Sequence, residues 1–176
     1  MSTGNDSPSA VADASPARAS QAPLAADLVE AVGALTRRYE DRRAACIEAL
    51  KLVQRRYRWV SDPHLRALAH LLDMTAAELD AVATYYNLVY RRPVGRHVIL
   101  LCDSVSCWLL GEDALRERLE RRLGIQPGQT TADERFTLLP IVCLGHCDHA
   151  PALMIDDDLH GNVAAADLDR LLDAYA

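Results

Sequence analysis

Glycine is scarce in this sequence and widely spread: eight in 176 residues, at positions 4, 33, 95, 111, 124, 128, 145 and 161. That spacing excludes a GxGxxG dinucleotide loop, and no GxxxxGK(S/T) phosphate loop occurs, so two standard devices for holding a nucleotide are missing. Positive charge is short as well, with 19 Lys+Arg against 25 Asp+Glu and a formal net charge of −6. A nucleic-acid-binding surface shows the opposite excess. Long apolar runs are absent too. Val98–Cys102 spans only five residues, far below the ~18 that a membrane helix requires. The start, MSTGNDSPSAVADASPARASQAPLAAD, has neither the charged n-region nor the apolar core of a secretory signal. Its single arginine, Arg18, gives no support to a mitochondrial presequence.

What remains is an Ala/Ser/Pro leader over 1–26, read as disordered, and a chain with five cysteines. Without an export signal the chain is expected in the reducing cytosol. Cysteines there point to metal or redox chemistry rather than to a disulfide framework.

Two halves of different periodicity follow. Residues 27–92 read as a helical bundle. Leu28, Val32 and Leu35 fall at i, i+4 and i+7, and Cys46, Leu50, Val53 and Tyr57 repeat the stripe. Ser61-Asp62-Pro63 is a helix start with Pro63 near the first helical position, leaving Leu65, Leu68 and Leu72 inward. Thr75-Ala-Ala-Glu78 is a capping box. Arg91-Arg92-Pro93-Val94-Gly95 then breaks the pattern and serves as the hinge.

Residues 93–176 alternate strands and helices. His97–Cys102 (HVILLC) reads as a buried strand and Glu112–Leu123 as a helix with Leu115, Leu119 and Leu123 on one face. That helix carries a Glu117–Arg121 pair and stops at Gly124, and its Arg116–Arg122 charges read as a solvated face. Phe136–Val142 is a second strand, which Pro140 confines to an edge or a bulge. A hairpin around Asp156-Asp157-Asp158 and a helix over Asp167–Tyr175 complete the order βα-β-ββα, that of a thioredoxin-like domain.

Cys102 and Cys107 are separated by four residues, Cys143 and Cys147 by three, and 35 residues lie between the pairs. Each pair occupies a loop leaving a strand, so both loops can converge on one end of the sheet. Two irons bridged by two sulfides take four cysteines, and the long, unequal spacings suit that elongated core. A single zinc also takes four thiolates, although on C-x2-C to C-x4-C knuckles, and disulfide pairing is a further alternative. Two ferric ions, two sulfides and four thiolates sum to two negative charges, and one-electron reduction adds a third. Loop amides in 103–106 and 144–146, with the Ser104 and Ser106 hydroxyls, are the expected donors to the sulfurs, and Gly145 permits a positive φ.

Neighbouring residues carry weaker signals. Cys46 shares a helix stripe with Leu50 and Val53 and reads as a buried core thiol. His146 and His149 flank a candidate ligand and could tune it, or replace a thiolate as in Rieske centres. Trp108 either shields the site from water or simply packs. Pro151 occupies the place of the cis proline of thioredoxin-like folds.

CDSVSC (Cys102–Cys107), PGQTT (Pro127–Thr131), RFTLLP (Arg135–Pro140) and CLGHCDHAP (Cys143–Pro151), with the upstream EALKLVQ and AVATYY, resemble one family. It is the thioredoxin-like [2Fe-2S] subunit of respiratory complex I, the NADH–quinone oxidoreductase of bacteria. The resemblance runs from about Ala31 to Tyr175. It departs at Val163-Ala-Ala-Ala, where a more typical Thr-Pro-Glu would cap the last helix.

The resemblance implies one [2Fe-2S] cluster on Cys102, Cys107, Cys143 and Cys147, and no catalytic residue of the chain's own. It implies that FMN and NADH are bound by a partner subunit and that this chain exchanges one electron with that flavin, off the main line of clusters. The partners would be the flavin subunit and the rest of the peripheral arm, on the cytoplasmic side of the inner membrane, with no nucleic acid and no membrane span. The bundle would be a docking element, with Tyr85, Tyr86 and Tyr90 as contacts or as bundle core. Related cluster subunits serve soluble NAD-dependent formate dehydrogenases and NAD-reducing hydrogenases. A stand-alone thioredoxin-like ferredoxin is the other alternative, and it would not need residues 27–92.

Overall fold

The structure, a computed structural model, describes residues 24–175 in two compact units that divide between Tyr85 and Tyr86. The expected disordered leader lies, up to residue 23, outside the described residues. Leu24 is already buried, and the first helix among the described residues begins at Ala26.

The first unit is helical. Helix α1 (Ala26–Thr36) buries Leu28, Val32 and Leu35, the stripe that its sequence spacing dictates. A 3-10 turn (Arg42–Ala45) leads into α2 (Cys46–Tyr57). Helix α2 buries Ala49, Leu50 and Val53, while Cys46 is only half-buried. The expected core thiol is therefore displaced from the core: Cys46 is the first residue of its helix, and Ala45 and Ala49 fill the inward positions instead. Tyr57, at the other end, stacks its ring on His64 with centroids 3.9 Å apart and accepts a hydrogen bond from the Ala25 N–H at 3.0 Å.

Helix α3 (Asp62–Leu71) starts as its sequence requires, with Ser61 Oγ accepting from the His64 N–H and Pro63 in the first turn. Helix α4 (Ala76–Tyr85) opens on a reciprocal capping box. The Glu78 N–H donates to Thr75 Oγ1 at 3.2 Å, and the Thr75 N–H donates to Glu78 Oε2 at 2.8 Å. Arg43 adds a 2.6 Å contact to Glu78 Oε1 and ties the 3-10 turn to the α4 start.

The second unit begins with a turn in which the Val89 N–H donates to the Tyr86 carbonyl, at 2.9 Å. Tyr90 and Val94 then pack on one face of a four-stranded sheet, which places the Arg91–Gly95 stretch within this unit. The strands are β1 (His97–Cys102), β2 (Phe136–Ile141), β3 (Leu153–Ile155) and β4 (Asp158–His160), in the spatial order β2-β1-β3-β4. β1 and β2 run parallel, His97 opposite Phe136 and Cys102 opposite Ile141, whereas β3 and β4 are antiparallel to their neighbours.

The continuous apolar run of β1 follows from burial on both faces. Ile99 and Leu101 join Leu138, Leu153 and Ile155 beneath α6 (Glu112–Leu123) and α7 (Leu168–Asp173). Val98, Leu100 and Cys102 face the other way, among Ile141, Ala150 and Ala152. Pro140 sits on the edge strand, where its missing N–H leaves no partner strand short of a donor. The Ala150–Pro151 peptide is cis, at the position expected from the fold.

Three details depart from the sequence expectations. Strand β2 ends at Ile141, so Val142 lies beyond it, exposed. The α6 arginines are not merely solvated. Arg118 and Arg122 both reach Asp169 of α7, and Arg122 also contacts Asp173 at 3.3 Å, so charge pairs join the two helices covering the sheet. The last helix is entered through a 3-10 turn (Ala165–Asp167) without a side-chain cap, which is the local cost of the Ala-rich approach.

The Arg43 contact and the two hydrogen bonds from Thr75 hold the Glu78 carboxyl down at about 2. A depressed acid stabilises the fold above its unfolded pKa, near 4.3, and the contribution disappears as pH falls through about 2. Glu78→Gln is therefore expected to lower the urea midpoint at pH 7. The gap to the parent chain should close steadily as titrations move below pH 4.

Candidate metal centre

Parallel pairing of β1 with β2 brings the C-terminal ends of both strands to one edge, and all four cysteines of the two pairs are there. Cys102 is the last residue of β1. Cys107 lies in a short helix, α5 (Val105–Leu109), where the sequence predicts only loop, since five residues are too few to show a period. Cys143 follows β2, and Cys147 opens a 3-10 turn (Cys147–His149). Cys102 and Cys107 are 2% and 1% exposed, while Cys143 and Cys147 are on the surface.

The four thiols sense one another. Cys143 and Cys147 have their sulfurs 3.7 Å apart. Burial pushes the Cys107 thiol up to about 11; an N–H donated by Ala152 opposes this, and Cys102 and Cys147 add to it. Cys147 is also pushed up, first by its hydrogen bond with Cys143, against a hydrogen bond from the Ser106 hydroxyl. Cys107 and Cys147 are thus held back from ionising unless cationic charge is supplied from outside the chain, and metal ions supply it.

Donors to sulfur come from both loops, as the charge argument requires. The Gly145 N–H donates to Cys143 Sγ at 3.3 Å, with Gly145 at φ +74°, and Ser106 faces Cys147. Ser104 occupies the cap position of α5 without a side-chain cap bond.

Four thiolates on one zinc, with Zn–S about 2.3 Å, require sulfurs about 3.8 Å apart throughout. Among the described residues the one trio of donors whose ligand atoms all lie within 4.8 Å of one another is His146, Asp148 and His149, not any three cysteines. The four thiols supply an all-cysteine donor set of the kind that a two-iron, two-sulfide core takes.

Beside the cage lies an apolar surface that sequence reasoning missed. Val105, Trp108, Leu109 and Leu110, on and just after α5, are exposed, Trp108 by 56%. Val142, beyond the end of β2, is exposed by 74%. Packing within the unit therefore does not account for Trp108. The available signal was the unbroken apolar run Trp108-Leu109-Leu110 directly after a candidate ligand. Of the tyrosines singled out, Tyr85 and Tyr86 are exposed, whereas Tyr90 packs on the sheet. Glu112, at the start of α6, is buried and held by Arg116 Nε at 3.2 Å, and burial pushes its carboxyl up. It lines a cleft of about 400 Å³ with Asp103, Trp108 and Pro140.

Residues 32–176 match the thioredoxin-like [2Fe-2S] ferredoxin family. The chain is 52% identical over 137 residues to the E-type subunit of the NADH-quinone oxidoreductase of Pseudomonas aeruginosa, covering 78% of this chain and 82% of that protein. It is 50% identical, with the same coverage, to the corresponding protein of Escherichia coli K12. Among solved structures it resembles an NAD+-reducing [NiFe]-hydrogenase in the H2-reduced state (TM-score 0.65, 28% identity). That match covers 74% of this chain but only 22% of the hydrogenase chain.

The exposure pattern sets an order of thiol reactivity. In the cluster-free chain under native conditions, Cys143 should alkylate first and Cys107 last, by more than tenfold. Timed iodoacetamide labelling read by peptide mass spectrometry checks this. Equal rates for the two would show that the α5 cysteine is not buried.

Proposed function

The chain belongs to the thioredoxin-like [2Fe-2S] ferredoxin family, and from that premise we propose that it is the cluster-bearing, electron-transfer component of an NADH–quinone oxidoreductase. The observation that supports the reading best is the gathering of Cys102, Cys107, Cys143 and Cys147 at one sheet end, as two pairs leaving parallel strands. These four residues would hold a single [2Fe-2S] cluster. When bound, such a cluster supplies a one-electron centre for exchange with the FMN of the partner subunit that binds NADH.

The chain's own residues perform the holding and the tuning. The β1 end and α5 bury two ligands away from water, and the surface loop offers the other two. The Gly145 and Ala152 amides and the Ser106 hydroxyl place partial positive charge at the sulfurs, which stabilises the thiolates and, with them, the added electron.

Electron exchange requires the flavin to come close, so docking belongs at the cage end of the sheet. The apolar surface of Val105, Trp108, Leu109, Leu110 and Val142 is the best-supported contact for the flavin subunit. The helical unit, with Tyr85 exposed at the end of α4, is a second docking element. No helix among the described residues is long and apolar enough to cross a membrane. As a component of such a complex, the chain would sit in the peripheral arm, on the cytoplasmic side of the membrane.

The hydrogenase likeness favours one second reading, the equivalent subunit of a soluble NAD-reducing hydrogenase. The 50–52% identity to the NADH-quinone oxidoreductase proteins places it behind the first. Co-purification with a nickel–iron subunit, rather than with quinone-reducing partners, would reverse that order.

Purified chain should be reddish-brown, with two irons and two acid-labile sulfides, and should not oxidise NADH alone. Serine at Cys102, Cys107, Cys143 or Cys147 should weaken or abolish the EPR signal of the reduced protein, whereas Cys46→Ser should leave it intact. Colourless protein holding one zinc would sink the assignment. A second measurement addresses docking. Trp108→Ser with Leu109→Ser should weaken binding to the flavin subunit at least tenfold in pull-down or calorimetry, with the EPR spectrum unchanged. Undiminished binding would move the contact elsewhere.

A further inference from the structure

His146, Asp148 and His149 form a separate constellation that the cluster reading leaves unused. Their potential ligand atoms all lie within 4.8 Å of one another. Asp148 faces the Nδ1 atoms of both imidazoles, with Oδ2 2.9 Å from His149 Nδ1 and Oδ1 3.9 Å from His146 Nδ1. The rings stack, centroids 4.5 Å apart and planes 9° from parallel. Gly161 makes this arrangement possible. A Cβ there would lie 2.6 Å from His146 Nε2 and 2.6 Å from His149 Cβ, so the absence of a side chain seats the His146 ring with its Nδ1 edge toward Asp148. The backbone fixes the remainder, since the His149 N–H donates to the His146 carbonyl at 3.1 Å and the Asn162 N–H donates to the His149 carbonyl at 2.6 Å.

We propose that His146, Asp148 and His149 form a surface site for a divalent first-row cation of the zinc type, on the rim of the cysteine cage. Two imidazoles and one carboxylate are the ligand set that zinc or nickel prefers, with water completing the shell, and they exclude magnesium and calcium, which take oxygen donors. A metal lies in the plane of each imidazole that binds it, and two stacked rings do not share such a point. His146 therefore stays seated on Gly161, and His149, whose side chain is 48% exposed, turns its ring to close the site.

The position gives the site a consequence. His146 directly precedes Cys147, and Asp148 and His149 share its 3-10 turn, so a bound cation sits against the negative charge of the cage. This coupling rests on the cluster assignment above; the cation site itself does not. Reduction adds one negative charge, so the cation binds the reduced protein more tightly and, by reciprocity, raises the reduction potential.

The test titrates Zn2+ into the full, cluster-loaded chain by calorimetry, oxidised and dithionite-reduced, while visible absorbance follows the cluster. The expected result is one zinc per chain, bound at least tenfold more weakly by His149→Gln and by Asp148→Asn, with the EPR spectra of both variants unchanged. Binding about tenfold tighter in the reduced state would raise the midpoint by about 59 mV in zinc-saturated protein. Zinc affinity equal in parent and both variants, uptake that bleaches the cluster, or binding only at millimolar zinc would overturn the site. A midpoint unmoved by bound zinc would overturn the coupling. Protein that carries no cluster yet binds zinc through His149 and Asp148 would refute the cluster assignment and leave the site standing.

Discussion

The parallel pairing of β1 with β2 is the constraint on which the second unit depends. Parallel strands finish at the same edge, so the segments leaving Cys102 and Ile141 emerge side by side although more than 30 residues separate the two cysteine pairs. An antiparallel pairing of the same two strands would have sent Cys143 and Cys147 to the far end of the sheet. The crossover through α6 makes the parallel arrangement possible, and α6 stays in place because Leu115 and Leu119 are buried under it while Arg118 and Arg122 engage α7.

Electrostatics imposes the next requirement. Four thiols gather at one edge, two of them buried, and burial pushes the Cys107 thiol up to about 11. No Lys or Arg is among the leading influences on Cys107 or Cys147. The chain supplies weak donors instead, the Gly145 and Ala152 amides and the Ser106 hydroxyl, and leaves full positive charge to the metal. A basic neighbour would have raised the potential. The same reasoning gives the histidine–aspartate rim its interest, since a cation held there would change the balance from outside.

Much of the second unit was legible in the sequence because its signals are local, and so was the start of α4. The limits of β1 and α6 and the capping box of Thr75 and Glu78 agree with what residue types and spacing imply, while the cis peptide at Pro151 falls where thioredoxin-like folds often carry one. The departures have physical causes as well. Helix α5 is too short for periodicity to register. Cys46 falls half out of the core because a helix phase read from i, i+4, i+7 spacing tolerates one neighbour more, and alanines take the inward positions. The α6 arginines find Asp169 and Asp173 some 50 residues away, a pairing that no local pattern contains. Trp108 fits packing and surface equally well as a residue type, and only burial separates the two.

By itself the sequence determined the chemistry: four cysteines in two unequal pairs, no nucleotide loop, and strands and helices in an order that can bring the pairs together. These are properties of residue type and spacing, which do not change on folding. The tertiary structure alone decided which of the four cysteines are buried, and that an apolar surface and a histidine–aspartate trio adjoin them. Those are properties of distance and solvent exposure, fixed when β1, β2 and the β3–β4 hairpin pack, and a list of residues carries neither.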